Sequence, residues 1–247
     1  MITLISKSTG ISVKTIYFAE KPILLKNTFS TFRSTSSNIN CNFFYRSEIN
    51  TLINSLKVSD SDLLNSFSKN TRYEIIRSIR DNLIEIDNEA SIDDFIPLYN
   101  CFAEDRGWRN FRLRNEMLNN YRVTLCKLNN KPIIAHLYLI DHNSKRVCLE
   151  SSVSQPDDMR GSSLKSLIGR SNRHLHYSDM LYFKSLGFEY YDFGGYDNYN
   201  TADKKKMGIN RFKAGFNGVL VYESNYVSYP LLVLFRIKKL LGLWSFN

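Results

Sequence analysis

Phe188-Glu-Tyr-Tyr-Asp-Phe-Gly-Gly195 is the stretch on which the reading of this chain turns. Its aromatic run has the composition of a β-strand, and the paired glycines stop it. Upstream, Asn172-Arg-His-Leu-His176 and Asp179 lead through Phe183-Lys184 to Gly187, so a helix is expected from about Arg173 to Leu186, with the glycine as its stop. Downstream, a polar loop holding Lys204-Lys-Lys206 gives way to Gly208-Ile209, Phe212-Lys213 and Phe216, and then to a strand, Val219-Leu-Val-Tyr-Glu223.

Before this block lie three apolar runs, Val123–Leu128, Ile133–Ile140 and Arg146–Val153, joined by the short polar turns Asn129-Asn130 and Asp141–Ser144. Consecutive strands with such turns form an antiparallel meander. Helical periodicity runs from Ser59 through Ile79, with Ser61 and Asp62 as caps, and again from Ser91 to Gly107, with Asp93 and Asp94 in its first turn. A third helix is expected over Arg114–Asn120. The first sixty or so residues are strand-rich, with Ile11–Phe18 alternating and a Ser/Thr linker at Ser34–Asn38. The expected organisation is a segment 1–58 packing on a main domain 59–225, followed by an apolar and basic helix over 226–247. Helices, a meander, a helix and further strands make an α+β chain.

Composition sets the outer bounds. The 247 residues are 43% hydrophobic and 23% charged, which excludes wholesale disorder and a polytopic membrane protein. A net charge of +9 favours phosphate-bearing partners without choosing among nucleotides, nucleic acid and lipid head groups. Cys41, Cys101, Cys126 and Cys148 are far apart, so neither a zinc knuckle nor a disulfide framework is indicated. His174 and His176, two apart on a helix, point to different sides and make no helical metal pair, and His136 in its apolar strand reads as a satisfied core residue. No metal is implied. Met1–Phe18 lacks a continuous apolar core for a signal peptide, and a reducing cytoplasm is the expected setting.

The block from Asn172 to Phe216, with Tyr191-Asp-Phe-Gly-Gly195 and the later Phe212-Lys213 at its centre, resembles the GNAT superfamily of N-acyltransferases in its Fem-like branch. That branch includes aminoacyltransferases of peptidoglycan bridges and proteins of surface-polysaccharide synthesis, and the resemblance covers roughly residues 60–225. It implies a mixed, mostly antiparallel sheet flanked by helices, in which two central strands splay apart to admit the pantetheine arm of an acyl donor. Here those strands are Arg146–Val153 and Phe188–Phe193. The first offers backbone N–H groups around Ser151, Ser152 and Val153 to the donor and its thioester oxygen. The second stops at Gly194.

The resemblance also implies roles for other residues. Glu150 or Asp192 takes the proton from the attacking amine, and Tyr191, Tyr196 or Tyr199 is placed to protonate the leaving thiolate. Lys213 faces the acceptor cavity, with Gly195, Tyr196 and Tyr199 beside it. Many members carry a glycine-rich pyrophosphate loop before the central helix; here the connection is Arg170-Ser-Asn-Arg-His-Leu, without the glycines. A helix beginning near Ser171 or Asn172 would offer backbone amides to a phosphate, with Arg170 and Arg173 adding charge.

The expected activity is transfer of an acyl group from acyl-CoA, a co-substrate and not a resident cofactor, to the amino group of a nucleotide-linked sugar. An aminoacyl-tRNA-dependent transferase acting on a cell-wall precursor is the alternative, and a binding module that kept the fold and lost the chemistry is a third. No DNA partner is expected. The tail, Leu231-Leu-Val-Leu-Phe-Arg-Ile-Lys-Lys-Leu-Leu-Gly-Leu-Trp244, is too short before Arg236 to span a membrane. It is expected to pack on the N-terminal strands, with contact to a membrane surface as the less favoured reading.

Overall fold

The computed structural model describes residues 1–8, 10–24, 27–107, 110–111, 119–155, 162–196 and 204–240. They divide into two compact units, one formed by Met1–Thr51, Gly195–Asn198 and Leu220–Asn247, the other by Leu52–Gly194 and Tyr199–Val219.

In the first unit, β1 (Ile2–Ser8) and β2 (Ile11–Tyr17) form an antiparallel hairpin, with Ile2 opposite Tyr17. β3 (Ser30–Thr35) lies parallel to β2, and β10 (Val219–Ser228) lies antiparallel to β3. The order ends at β4 (Phe44–Ser55), giving β1-β2-β3-β10-β4. Ile16, Ala19, Phe32, Phe44 and Tyr226 form its core. The Tyr226 hydroxyl reaches the carbonyl oxygens of Ser37 and Ile39 at 2.9 and 2.8 Å, pinning the linker that the serines and threonines suggested. Helix α6 (Tyr229–Leu240) belongs to this unit. Leu231 is fully buried and the Tyr229 N–H donates to the Phe43 carbonyl at 2.9 Å, while Val233 and Ile237 stay exposed. No described helix is long and apolar enough to cross a membrane.

The second unit is the α+β layer that the meander announces. Its strand order is β4-β9-β8-β7-β6-β5, with β5 (Glu85–Ala90), β6 (Tyr121–Leu128), β7 (Lys131–Asp141) and β8 (Arg146–Ser154) antiparallel to one another, and β9 (Tyr190–Gly195) parallel to β8. β7 is buried over Ile133–Asp141, as a strand covered on both faces must be. The helices are α1 (Asp60–Ser66), α2 (Lys69–Asp81), α3 (Ile92–Asp105), α4 (Ser162–Ser185) and α5 (Lys204–Ala214). A capping box of Ser91 and Asp94 opens α3.

Several expectations are corrected. The periodicity from Ser59 to Ile79 is two helices, because Ser68 caps a new one through the Thr71 N–H. β4 runs twelve residues, and β5 was not foreseen. The two compact units meet in sequence at Thr51, inside β4, and most of β10 groups with the N-terminal strands. The central helix begins at Ser162 instead of Arg173, so Arg170, Ser171, Asn172 and Arg173 lie well inside it. Their backbone N–H groups are in the helical ladder and cannot cap a phosphate. The helix expected over Arg114–Asn120 falls mostly outside the described residues.

Candidate active site

β8 and β9 keep strand register for only three pairs, Arg146 with Tyr190, Val147 with Tyr191 and Cys148 with Asp192. Beyond Cys148 and Asp192 they are no longer paired, although β8 continues to Ser154 and β9 to Gly195. The place where they part is marked on both strands. On β9, Gly194 has φ +67°, and a Cβ there would sit 2.6 Å from the Leu149 carbonyl oxygen. Only glycine fits that approach. On β8, Tyr138 of β7 faces Leu149 and Leu137 faces Ser151, so Glu150 is the extra residue of a β-bulge. The bulge reverses the alternation of β8 and places an exposed carboxylate just past the last β8–β9 register pair, followed by half-buried Ser151 and Ser152 and buried Val153.

Asp192 lies at the last paired position and is fully buried. Its Oδ2 accepts the Arg146 Nε–H at 2.9 Å and an Nη2–H of the same guanidinium, and its Oδ1 accepts the Gly194 N–H at 2.8 Å. Donors thus engage both oxygens, so this carboxylate anchors the strand end and is poorly placed to take a proton. Cys148, its register partner, has its thiol pushed well up by burial and by the Asp192 and Glu150 charges, and it stays protonated. Burial lowers the pKa of Lys213 on α5, with the Asp192 charge opposing that shift.

Tyr191 belongs to a different assembly. Its hydroxyl lies 2.6 Å from the Tyr138 hydroxyl and 2.6 Å from His176 Nδ1. Tyr138 donates to Asp179 Oδ2 at 2.5 Å, and His136 Nδ1–H donates to the same oxygen at 2.8 Å. Asn88 closes the far side, donating to Asp179 Oδ1 at 2.9 Å, and His136 Nε2 is 2.8 Å from Asn172 Oδ1. The proton directions follow from the carboxylate. Tyr138 spends its proton on Asp179, so its oxygen accepts from Tyr191, whose oxygen in turn accepts from His176 Nδ1–H. Burial drives the His176 pKa well below its ordinary value, with nearby positive charges adding to the effect, so the ring is neutral with Nε2 unprotonated. Burial first, then the Asp179 charge, pushes both tyrosines well up. Tyr191 is therefore a strand-positioning group set in a closed network and not an open proton donor.

His136, His176 and Asp179 place donor atoms within 4.8 Å of one another. The two imidazoles stack with centroids 4.2 Å apart and planes 30° from parallel, so their in-plane nitrogens run alongside instead of converging. With His136 hydrogen-bonded at both nitrogens, the set does not suit a metal ion. His174 points away from His176, as its spacing requires, and meets Ser78 Oγ of α2 at 3.2 Å.

The remaining expected residues are placed as follows. Asn172 turns inward to His136. Arg170 pairs with Asp81 at 3.5 Å. Arg173 donates to the Gly169 carbonyl at 2.8 Å and stacks over Phe212, and Ser171 is buried. The Tyr196 N–H donates to the Asn50 carbonyl at 2.7 Å, and Tyr199 lies outside the described residues. Asp179 and Tyr138 were not assigned roles from sequence; Asp179 stood within the quoted helix block, but nothing there tied it to strands forty residues upstream.

The part-paired strands, the bulge and the crossing helix match a known architecture. The fold is GNAT/Fem-like. FemX superposes with a TM-score of 0.66 at 13% identity, over 95% of this chain and 85% of that one. L-PGS from Bacillus licheniformis gives 0.58 at 11% identity, over 97% and 85%. The C-terminal domain of a putative lysylphosphatidylglycerol synthetase from Agrobacterium fabrum gives 0.57 at 11%, over 96% and 84%. No protein-family model and no curated protein matches the sequence.

Proposed function

We propose that this protein is an N-acyltransferase that moves an acyl group from acyl-CoA to the amino group of a nucleotide-linked sugar. The observation that supports this reading is that the ladder between β8 and β9 ends at Cys148 and Asp192 while β8 itself runs on to Ser154. Backbone N–H groups there, around Ser151, Ser152 and Val153, bind the amides of the donor arm and hold the thioester oxygen as it becomes an oxyanion. The amine adds to the carbonyl carbon, the tetrahedral intermediate collapses, and the C–S bond breaks to release the thiolate. Glu150, exposed at the bulge, takes the amine proton, since donors already engage both oxygens of Asp192. Lys213 binds an anionic group of the acceptor. The pyrophosphate belongs at the α4 start near Ser162, and Arg170 and Arg173, engaged by Asp81 and by the Gly169 carbonyl deeper in the helix, take no part in holding it.

The test is release of free thiol from acetyl-CoA in the presence of nucleotide-linked amino sugars, with Glu150→Gln as the disabled control. Turnover that Glu150→Gln leaves intact removes the assigned base, and no turnover with any thioester removes the reaction.

A second reading, an aminoacyl-tRNA-dependent transferase acting on a cell-wall precursor, is favoured by the absence of a glycine-rich loop before α4 and by the end-to-end likeness to FemX. Binding to tRNA through many phosphates falls steeply with salt, whereas binding to one CoA responds mildly.

A further inference from the structure

β4 breaks its own pattern. Phe44 and Leu52, on one face of the strand, are buried, yet the three positions between them on that face are Arg46, Glu48 and Asn50. These three line a pocket of about 290 Å³ in the first unit, together with Asn38, Tyr222 and Glu223. Its polar groups are pre-set. The Arg46 Nε–H donates to Ser224 Oγ at 2.8 Å and its Nη2–H to Glu48 Oε1 at 3.1 Å, while Ser224 Oγ donates to Asn38 Oδ1 at 3.0 Å. Glu223 is only 4% exposed, and Tyr222 is 56% exposed.

We propose that this pocket binds a saccharide ring of monosaccharide size, uncharged or carrying an amine, with no phosphate in the pocket itself. The volume lies at the lower end of small-ligand sites, which are roughly 300–1,000 Å³, and is too small for a nucleotide-sugar as a whole. Carboxylate, amide and guanidinium groups are planar and two-pronged, suited to the neighbouring hydroxyls of a sugar, and an exposed tyrosine offers an apolar face to the ring's C–H side. Arg46, the cation among the lining residues, is already engaged by Glu48 and Ser224, and the exposed Glu48 carboxylate repels a phosphate and attracts an ammonium. Asn50 also accepts the Tyr196 N–H at 2.7 Å, which ties the pocket wall to the residue that follows the β9 glycines. Naming the bound sugar an acyl acceptor rests on the proposed acyl transfer; the binding does not.

The experiment is saturation-transfer NMR on the full chain with millimolar glucosamine, N-acetylglucosamine and glucose, with inorganic phosphate as competitor. Tyr222→Ala and Glu48→Gln change exposed side chains and leave the fold intact. At least one sugar receives saturation, phosphate does not displace it, and Tyr222→Ala weakens it by about fivefold or more, a loss of about 1 kcal/mol. No transfer to any of the three, displacement by phosphate, or binding unchanged in both variants overturns the proposal. Sugar binding that responds to the variants without thiol release from acetyl-CoA supports the pocket and counts against acyl transfer. Turnover with an acceptor KM untouched by Tyr222→Ala does the reverse.

Discussion

Replacing Gly194 by alanine tests the geometry that separates β8 from β9. Two costs arise. At φ +67° an L side chain enters the left-handed region, which costs about 1–2 kcal/mol. The new Cβ would also stand 2.6 Å from the Leu149 carbonyl oxygen, a backbone atom that cannot rotate away, so one strand must move by several tenths of an ångström. Overpacking of that kind costs about 1–3 kcal/mol. The sum, about 2–5 kcal/mol, lowers the melting temperature by roughly 4–20 °C in a chain of this size. Gly195 is the internal control, because a Cβ there meets nothing within 4 Å and its backbone is outside the left-handed region. Thermal unfolding followed by circular dichroism compares the two. If Gly194→Ala and Gly195→Ala melt within about 2 °C of each other, the close approach of the strands is not what holds position 194 to glycine.

Other expected outcomes follow from the same neighbourhood. His176 stays neutral in the folded chain while the unfolded chain takes up a proton near pH 6.5, so stability falls as pH drops below that value; between pH 7.5 and 5.5 this one group removes on the order of 1 kcal/mol in urea titrations, and His176→Gln flattens that slope. Tyr138→Phe strips Asp179 and Tyr191 of a partner at once and lowers stability by about 2–5 kcal/mol, whereas a loss below about 0.5 kcal/mol would mean that the network is slack. Asp192→Asn leaves the Arg146 guanidinium without its buried counter-charge and costs about 3–5 kcal/mol by chemical denaturation, a loss that Arg146→Met in the same chain largely restores. Lys213→Ala raises the KM of a phosphate-bearing acceptor about tenfold or more and leaves that of the thioester donor nearly unchanged; equal effects on both would move Lys213 out of the acceptor site.

The parts that sequence made legible are those whose signals are local. The meander declared itself through apolar runs and asparagine turns, and the end of β9 through Gly194 and Gly195. The parts that stayed hidden have weak or contrary local signals. β5, Glu85-Ile-Asp-Asn-Glu-Ala90, carries three acids and no alternation, and is a strand because it pairs with β6. The first turns of α4 are rich in serine and glycine, so the helix seemed to start where its apolar stripe strengthens. The site repeats this division. Asp192 and Lys213 could be picked out as groups, but the pairing of Asp192 with Arg146 crosses two strands. Tyr191 was noticed as a proton donor to a substrate, while its partners, Tyr138 and His176, come from another strand and from the middle of a helix.

The chain of hydroxyls and imidazoles joining Asp179 to His176 also bears on how this unit folds. β7, β9 and α4 each bring polar groups that are satisfied only when all three meet, and an arrival missing one member strands a buried donor or acceptor at about 1–3 kcal/mol each. Half-docked forms are therefore penalised, and assembly of these three elements is concerted. The amide protons of Tyr138, Tyr191 and His176 are expected to exchange with solvent together, in a single cooperative opening, and later than those of the hairpin β1–β2.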